Sequence, residues 1–251
     1  MHAATLPEVI AHLQQIVAEE AAAQSRLALF PALYCELTQR FAVGLASGEF
    51  REPARLEEIG VRFANRYFDA LTAHRSGGKP TKSWAVSFEQ AESGRLLAIQ
   101  HILLGINAHI NLDLSIATAE VGGTRIAELE ADFQHVNTLL EDLFDRTYET
   151  LGALSPLLDL LDRVGGDNDE WLGNFVLAKA RDVAWTHAVV LTGLHGSARD
   201  AWVRMLDVSA SRLGHMIACP GFLVRKAIEL IRETEEQDVG VIVAALAKVQ
   251  P

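Results

Sequence analysis

The sequence predicts an all-α protein in which several helices pack, bundle-like, around one buried helix at about residues 96–119. Apolar side chains recur at spacings of three and four residues along most of the chain, which is the period of an amphipathic helix. No segment shows the strict apolar–polar alternation that predicts a half-buried strand. The connections are short and none resembles a linker, so we expect residues 1–251 to form a single domain.

Three amphipathic segments and one short segment precede the central helix. The Thr5-x-x-Glu8 pattern of a capping box predicts the start of the first helix. The second helix is expected to stop at Gly48, and the third at the glycine-rich turn 77–80. A short helical piece at about 84–92 then leads through Ser93-Gly94 into the central helix.

Similar signals divide the chain after the central helix, which is expected to end at the two glycines 122–123. Thr124 is the expected cap of a long helix, because its short polar side chain can bind the first backbone amides. A further helix is predicted at about 170–194. Another opens at Ser197 and closes at 219–221, and two shorter helices finish the chain.

Composition limits the classes of partner. With 22 Lys and Arg against 33 Asp and Glu, the net charge is −11, which argues against nucleic acids and anionic membranes. Residues 1–20 lack the basic and apolar regions of a signal peptide, so we expect a cytoplasmic protein. Cys35 and Cys219 fit no metal or redox spacing, and both are expected to be buried apolar side chains.

The central helix combines apolar side chains on almost all sides with an unusual density of polar ones. Such a helix is normally buried on all sides, so its polar groups need partners inside the protein. At about 100° per residue, His109 and Asp113 lie together at one margin of the apolar arc. Asn107 and Asn111 form a second pair at the opposite margin.

Three interpretations of these pairs stay open. They are polar contacts that fix helix register, the lining of a substrate pocket, or, for His109 and Asp113, ligands of a divalent metal ion. His101 precedes His109 by eight residues, about 12 Å along the axis, so the two cannot bind one ion from this helix alone.

Polar residues on other helices are also predicted to face inward. Asp182 falls between apolar residues on the inner stripe of its helix, where a carboxylate needs a cationic partner or acquires a raised pKa. Asn137 lies similarly on the long helix. Arg66 borders an apolar stripe and either pairs with Asp69 at the surface or reaches a buried anion such as Asp182.

Several sequence signatures of catalysis are absent. The chain has no E-x-x-H of di-iron bundles, no H-E-x-x-H and no adjacent His-Asp pair of the metal phosphohydrolase kind. It also has no G-x-G-x-x-G, no phosphate-binding P-loop and no G-x-S-x-G. The sequence alone therefore identifies no reaction.

The central helix reads Q-H-I-L-L-G-I-N-A-H-I-N-L-D-L from Gln100 to Leu114 and resembles the hallmark of an uncharacterised bacterial all-α family, a domain of unknown function. Other segments resemble the same family, namely residues 29–34, 63–71, Asp132-Phe133 with Asn137, 155–158 and 180–185. The resemblance extends from about residue 25 to 235. It implies a helical fold in one domain but no reaction, and it ranks the polar positions within these segments as the site.

The leading hypothesis is a small-molecule enzyme or ligand-binding protein with a polar pocket beside the central helix. His109 is the expected general acid or base, with Asp113 or Asp182 orienting it or sharing a divalent metal. The expected ligand contacts are Asn107, Asn111, Asn137, Arg66, His101 and Tyr67. The alternative is a non-catalytic scaffold whose buried polar residues only fix helix register.

Overall fold

The computed structural model describes residues 1–161 and 177–248, without the side chains of 137–145 and 177–178. The described part of the chain is helical and contains no strand, which confirms the all-α prediction. The helices are α1 Leu6–Ala22, α2 Leu29–Ser47, α3 Pro53–Arg75, α4 Lys82–Ser93, α5 Ala98–Ala108, α6 Ser115–Gly122, α7 Glu130–Leu154, α8 Leu177–Thr192, α9 Gly196–Ala218, α10 Phe222–Arg232 and α11 Val239–Leu246.

Local signals set several of these boundaries. At the start of α1, the Thr5 hydroxyl accepts a hydrogen bond from the Glu8 amide, and the Glu8 carboxylate accepts one from the Ala4 amide. Gly48 ends α2 with a φ of 80°, a left-handed conformation that glycine adopts without steric cost. The capping signals in the sequence therefore predict these two boundaries well.

The central helix runs through α5, a π-helical turn at His109–Leu114 and α6. From Ala98 to Ala119 every residue is buried except Asn111, which is half-buried, so the central helix is enclosed as predicted. Helices α2, α4 and α9 pack on α5, whereas α3 and α8 pack on the π turn and α6. The π turn itself is not foreseen by the sequence pattern.

By length and composition, the helical run Ala98–Val136 is long and apolar enough to cross a membrane. However, 94% of its 18-residue apolar window is buried inside the protein. The core helix of a soluble protein meets the same criterion, so this finding is weak evidence for a membrane span.

The central helix approaches α2 very closely at Gly105. A Cβ atom added there would lie 2.3 Å from Cγ of Phe30, so only glycine fits without a shift of the ring.

Acidic side chains from distant parts of the chain cap helix starts. Glu235 accepts from the Ala98 amide at the start of α5, and Asp132 accepts from the Glu52 amide next to the start of α3.

Two local expectations are wrong. Thr124 does not cap the long helix, because residues 123–129 form a 3-10 turn with a kink at Arg125, and α7 begins only at Glu130. Cys219 is exposed, whereas Cys35 is buried as expected. Cys219 lies just past the end of α9, where the chain turns along the surface rather than into the core.

Candidate functional site

The carboxylate of Asp113 is the centre of a buried polar cluster. Its Oδ1 accepts a hydrogen bond from Nε of Arg66 at 2.8 Å, and its Oδ2 accepts one from the indole N–H of Trp84 at 2.8 Å. Nδ1 of His109 lies 3.5 Å from the same Oδ2, a long contact. Asp113 is 1% exposed, so these groups take the place of water around its charge.

Three packed elements bring this cluster together. Arg66 is on α3 and Trp84 on α4, while His109 and Asp113 are the first and fifth residues of the π turn. The buried indole N–H of Trp84 needs an acceptor, and Asp113 supplies it. Single π turns inside α-helices are rare and occur frequently at functional sites, which makes this turn a candidate site on local geometry alone.

The imidazole of His109 is enclosed by aromatic rings. It stacks on Phe63 with ring centroids 3.4 Å apart and 9° between the planes. Tyr34 meets it edge-on at 4.6 Å. Three further rings surround it within 6.4 Å, namely Phe30, Trp84 and Tyr67. We call these five rings the aromatic cage.

Burial in this cage lowers the pKa of His109, although its contact with Asp113 acts in the opposite direction. The ring is therefore neutral at physiological pH. Because Oδ2 of Asp113 accepts hydrogen bonds, the proton of the neutral ring belongs on Nδ1. Nε2 is then a bare acceptor, and it is buried with no hydrogen-bond partner among the described residues.

Arg66 connects the buried cluster to the surface. Its side chain is 28% exposed and lies in the wall of an open polar cleft of about 750 Å³ between the N-terminus and α3. Arg66 forms an ion pair with Asp113 instead of with either expected partner, Asp69 or Asp182. Of the two alternatives for Arg66, a surface pair or contact with a buried anion, the structure has the second, and the anion lies on the central helix.

The two asparagines brace the central helix. Nδ2 of Asn107 donates to the Ala210 carbonyl on α9 at 2.8 Å, and Nδ2 of Asn111 donates to Oδ1 of Asn107 at 3.0 Å. Gln100 makes a similar contact from the same helix to the Ile217 carbonyl on α9 at 2.8 Å. These contacts have the geometry of register-fixing bonds.

His101 is separate from the His109 cluster. It lies beside Arg26 in the wall of a niche of about 10 Å³, to which Tyr67 and Trp84 also contribute. Burial lowers the pKa of His101 to about 3, the Arg26 charge acts in the same direction, and the Leu96 carbonyl opposes them. His101 is therefore a neutral core histidine, whereas Tyr67 belongs both to this niche and to the aromatic cage.

The predicted position of Asp182 is wrong. Asp182 is exposed and accepts a hydrogen bond from Gln134 at 3.3 Å, whereas its neighbour Arg181 is 4% exposed. The buried stripe of α8 consists of Arg181 with Ala184, Trp185, Ala188 and Leu191, so the helix is rotated by about one residue from the expected orientation. Asn137, also predicted to face inward, lies outside the described residues.

Some members of the cluster were not singled out by sequence reasoning. Trp84 donates to Asp113, while Phe63 and Tyr34 contact His109 most closely. Phe63 and Tyr34 fall inside the segments that resemble the family, and this position in the sequence could have marked them as members of the site. Among the described residues, no group of three or more His, Cys, Asp or Glu side chains is suited to a metal ion.

Comparison with protein families identifies the chain as a member of a family of unknown function, DUF5995, whose model matches residues 6–220. The matched region starts and ends earlier than the expected 25–235, and it contains the whole central helix. Comparison with curated proteins gives no match. Comparison with solved structures gives no match either.

Proposed function

We propose that this member of the DUF5995 family is a small-molecule-binding protein or an enzyme in which His109 is the general acid or base. The observation that carries this proposal is the bare Nε2 atom of His109 in the aromatic cage. An unpaired buried polar atom costs about 1–3 kcal/mol of stability. His101 also has unpaired ring nitrogens, so what singles out His109 is that its unpaired Nε2 is combined with a carboxylate at Nδ1 and with a π turn, an arrangement that a role in contacting a ligand explains.

The chemistry follows from the hydrogen bonds of the ring. Asp113 holds the Nδ1 proton, so the Nε2 lone pair is available to accept a proton or a hydrogen bond from a ligand. When Nε2 takes up a proton, the Asp113 carboxylate stabilises the resulting imidazolium. Arg66 and Trp84 hold both carboxylate oxygens, which fixes the orientation of Asp113 and, through it, that of His109.

A metal ion is a weaker alternative for the same residues. His109 and Asp113 offer only two protein ligands, whereas catalytic zinc sites have three. In addition, Oδ2 of Asp113 already accepts the Trp84 indole N–H. We therefore propose acid–base or ligand-binding chemistry at His109 without a metal held by this pair.

The second candidate function is a non-catalytic helical scaffold in a cytoplasmic interaction protein. The hydrogen bonds of Asn107 and Gln100 to α9 carbonyls favour it, because they join two helices and leave those amides engaged within the protein. The bond between Asn111 and Asn107 fits the same role. The two candidates differ in what they require of His109, since a scaffold has no use for a carboxylate that orients the ring and leaves Nε2 without a partner.

Exchange of the His109 ring C–H with solvent deuterium, followed by mass spectrometry, tests whether the site opens in the native state. We expect His109 to exchange well before global unfolding, because a ligand needs a path to Nε2. His101, buried on the same helix, is the internal control. Exchange of His109 only at the rate of global unfolding would contradict a ligand site.

Small molecules released from the purified protein on denaturation provide the second measurement. We expect a compound that co-purifies with the wild type and is lost in His109→Asn. Asparagine places an amide near the position of Nδ1, so it retains a donor for Asp113 and removes Nε2. His101→Asn is the matched control and should retain the compound. Equal retention by both variants would contradict the role of His109.

A further inference from the structure

The open cleft beside Arg66 has walls that hydrogen bonds hold together. Its volume of about 750 Å³ is within the range of about 300–1,000 Å³ for ligand pockets. The residues described in its lining are residues 2–4, side chains of α3, and Glu120. Asn65 of α3 binds the N-terminal segment, because its Oδ1 accepts from the Ala3 amide and its Nδ2 donates to the Ala3 carbonyl, each at 2.8 Å. The N-terminal wall is therefore fixed to α3.

Arg66 offers this cleft hydrogen-bond donors that the protein leaves unused. Its Nε donates to Asp113, whereas its two terminal nitrogens donate to no residue in the described part of the chain. The side chain lines the cleft and is 28% exposed. A guanidinium has five N–H donors in a planar fork, and its terminal nitrogens match the two oxygens of a carboxylate. Arg66 can therefore bind a ligand carboxylate and keep its contact with Asp113.

Asp69 provides an unused negative charge next to Arg66. The two residues are three positions apart on α3, where Cβ atoms are about 5–6 Å apart, and both line the cleft. Arg66 pairs with Asp113, and Asp69 is exposed, without a hydrogen bond or ion pair to any described residue. The cleft thus presents a cation and an anion side by side, and each has free hydrogen-bonding capacity.

We propose that this cleft binds an α-amino acid, with the α-carboxylate on the terminal nitrogens of Arg66 and the α-ammonium group on the carboxylate of Asp69. An α-amino acid carries both charged groups on one carbon atom, and this short separation matches two side chains that are neighbours on a helix. Glu57 also lines the cleft and repels ligands with a net negative charge, such as dicarboxylates. These charges therefore select a zwitterion.

The polar lining also determines the probe. The cleft has room for an amino acid together with its side chain, and the lining carries charged groups of both signs. An uncharged polar side chain suits such walls, because it can exchange hydrogen bonds with them without adding a net charge. Glutamine is therefore the amino acid that we choose as the probe.

The cleft is connected to His109 through the guanidinium of Arg66. Its Nε donates to Asp113, and Asp113 contacts Nδ1 of His109. A ligand carboxylate on the terminal nitrogens shares the positive charge that otherwise acts on Asp113 alone, so the ligand acts on the group that orients His109. The inference deepens the proposed function and rests on it for this link, whereas binding in the cleft is measured separately.

Three probes with one carbon skeleton test the ligand class without any mutation. L-Glutamine has both charged groups, glutaramate lacks the ammonium group, and 4-aminobutanamide lacks the carboxylate. Each is titrated into the wild-type protein at low ionic strength, because salt screens charges in an open cleft, and NMR shifts of the Ala4 and Val61 methyl groups report binding. We expect glutamine to bind with a Kd on the order of 1 mM and each of the other two about tenfold more weakly. Equal binding of all three probes, or no binding of glutamine, would overturn the proposal.

Asp69→Asn locates the bound ammonium group. Asp69 is exposed and has no described partner, so we expect a folded protein that binds glutamine no better than glutaramate. Asp159→Asn, the same change at an exposed position outside the cleft lining, is the control and should prefer glutamine like the wild type. An unchanged preference for glutamine in Asp69→Asn would contradict the contact with Asp69.

Arg66→Lys locates the bound carboxylate. Lysine keeps a positive charge for Asp113, but it has one nitrogen and no second pair of donors for a ligand carboxylate. We expect the affinity for glutamine to fall about tenfold, whereas the affinity for 4-aminobutanamide, which has no carboxylate, should not change. Wild-type affinity for glutamine in Arg66→Lys would contradict Arg66 as the carboxylate site.

His109→Asn separates this inference from the proposed function. We expect it to bind glutamine like the wild type, because Arg66 and Asp69 remain in the cleft. Glutamine binding in a protein whose His109 proves to be inert would leave the cleft assignment standing and remove only the link to His109. A wild-type protein without a preference for glutamine would remove the ligand class and leave the role of His109 to its own tests.

Discussion

Replacing His109 by phenylalanine tests whether this residue is kept for function or for stability. Phenylalanine retains a planar ring that stacks on Phe63, but it removes both ring nitrogens. The change therefore deletes the contact with Asp113 and, at the same time, the unpaired Nε2. The two losses act on the free energy of unfolding in opposite directions.

The geometry sets the size of each of these two contributions to the free energy of unfolding. The Nδ1–Oδ2 distance of 3.5 Å is at the outer limit of a hydrogen bond, so its loss costs less than about 1 kcal/mol. Removing the buried, unpaired Nε2 recovers about 1–3 kcal/mol. We expect a net gain of about 1 kcal/mol, which raises Tm by about 2–4 °C in a chain of this length.

Urea unfolding followed by circular dichroism measures this change. His101→Phe makes the same change in ring size at a buried histidine of the same helix that has no carboxylate contact, and because it removes two unpaired ring nitrogens it should gain more stability than His109→Phe. Any cost of fitting a larger ring enters both variants. If His109→Phe proved less stable than the wild type by about 1–3 kcal/mol while His101→Phe gained stability, His109 would be a structural brace and our reasoning would be wrong.

Three further predictions concern stability. Asp113→Asn leaves Arg66 without its anion, and urea unfolding should show a loss of about 2–4 kcal/mol, less than for a fully buried pair because Arg66 is 28% exposed. Gly105→Ala should lower the free energy of unfolding by about 3 kcal/mol or more, because the added Cβ clashes with α2. Gly152→Ala, on α7 with open space around it, is the control and should raise it by about 0.5–1 kcal/mol. Equal Tm values for the two variants would contradict the close approach at Gly105. Burial raises the pKa of Glu235 to about 7 from 4.5, so the native state holds a proton that the unfolded chain releases. Stability should therefore fall by up to ~1.4 kcal/mol per pH unit between about pH 4.5 and 7, and Glu235→Gln should remove this decline in a pH series of unfolding curves.

Helix boundaries were predictable where a local contact determines them. Thr5 and Gly48 act within one turn of their own position, so the residue type is sufficient to identify the boundary. The π turn at 109–114 has no such signal. Residues 109–114 continue an unbroken helical pattern, and the choice between α and π geometry depends on how α3, α8 and α9 pack against the turn.

The error at Asp182 has a clear physical cause. The inner stripe that we expected around Asp182 rests on large apolar side chains, among them Trp185 and Val189, but Val189 is 43% exposed. Ala184 and Ala188, at 1% and 0% exposed, mark the buried face, but small side chains contribute little to such a pattern. An orientation based on the two alanines would have placed Arg181 inward.

The partners of Asp113 depend on tertiary packing. The sequence predicted a buried carboxylate on the central helix and a basic group at the edge of α3, but their pairing joins residues 47 positions apart. Trp84 is 29 positions away on another helix. The periodicity of the central helix does not specify which neighbouring helices face Asp113. The sequence therefore predicted only that the Asp113 carboxylate needs a partner.

The polar residues of the central helix divide into two kinds. Asn107 and Gln100 donate to backbone carbonyls of α9, and a group that is satisfied in this way contributes register and stability. His109 is different, because Asp113 orients its ring through Nδ1 and holds Nε2, which has no described partner, inside the aromatic cage. The ring nitrogens of His101 also lack a described partner, but no carboxylate contacts that ring. Register can be fixed by amides alone, as Asn107 shows. The scaffold hypothesis therefore explains the amides but not the imidazole, and a ligand at Nε2 explains both the caged ring and the ion pair that orients it.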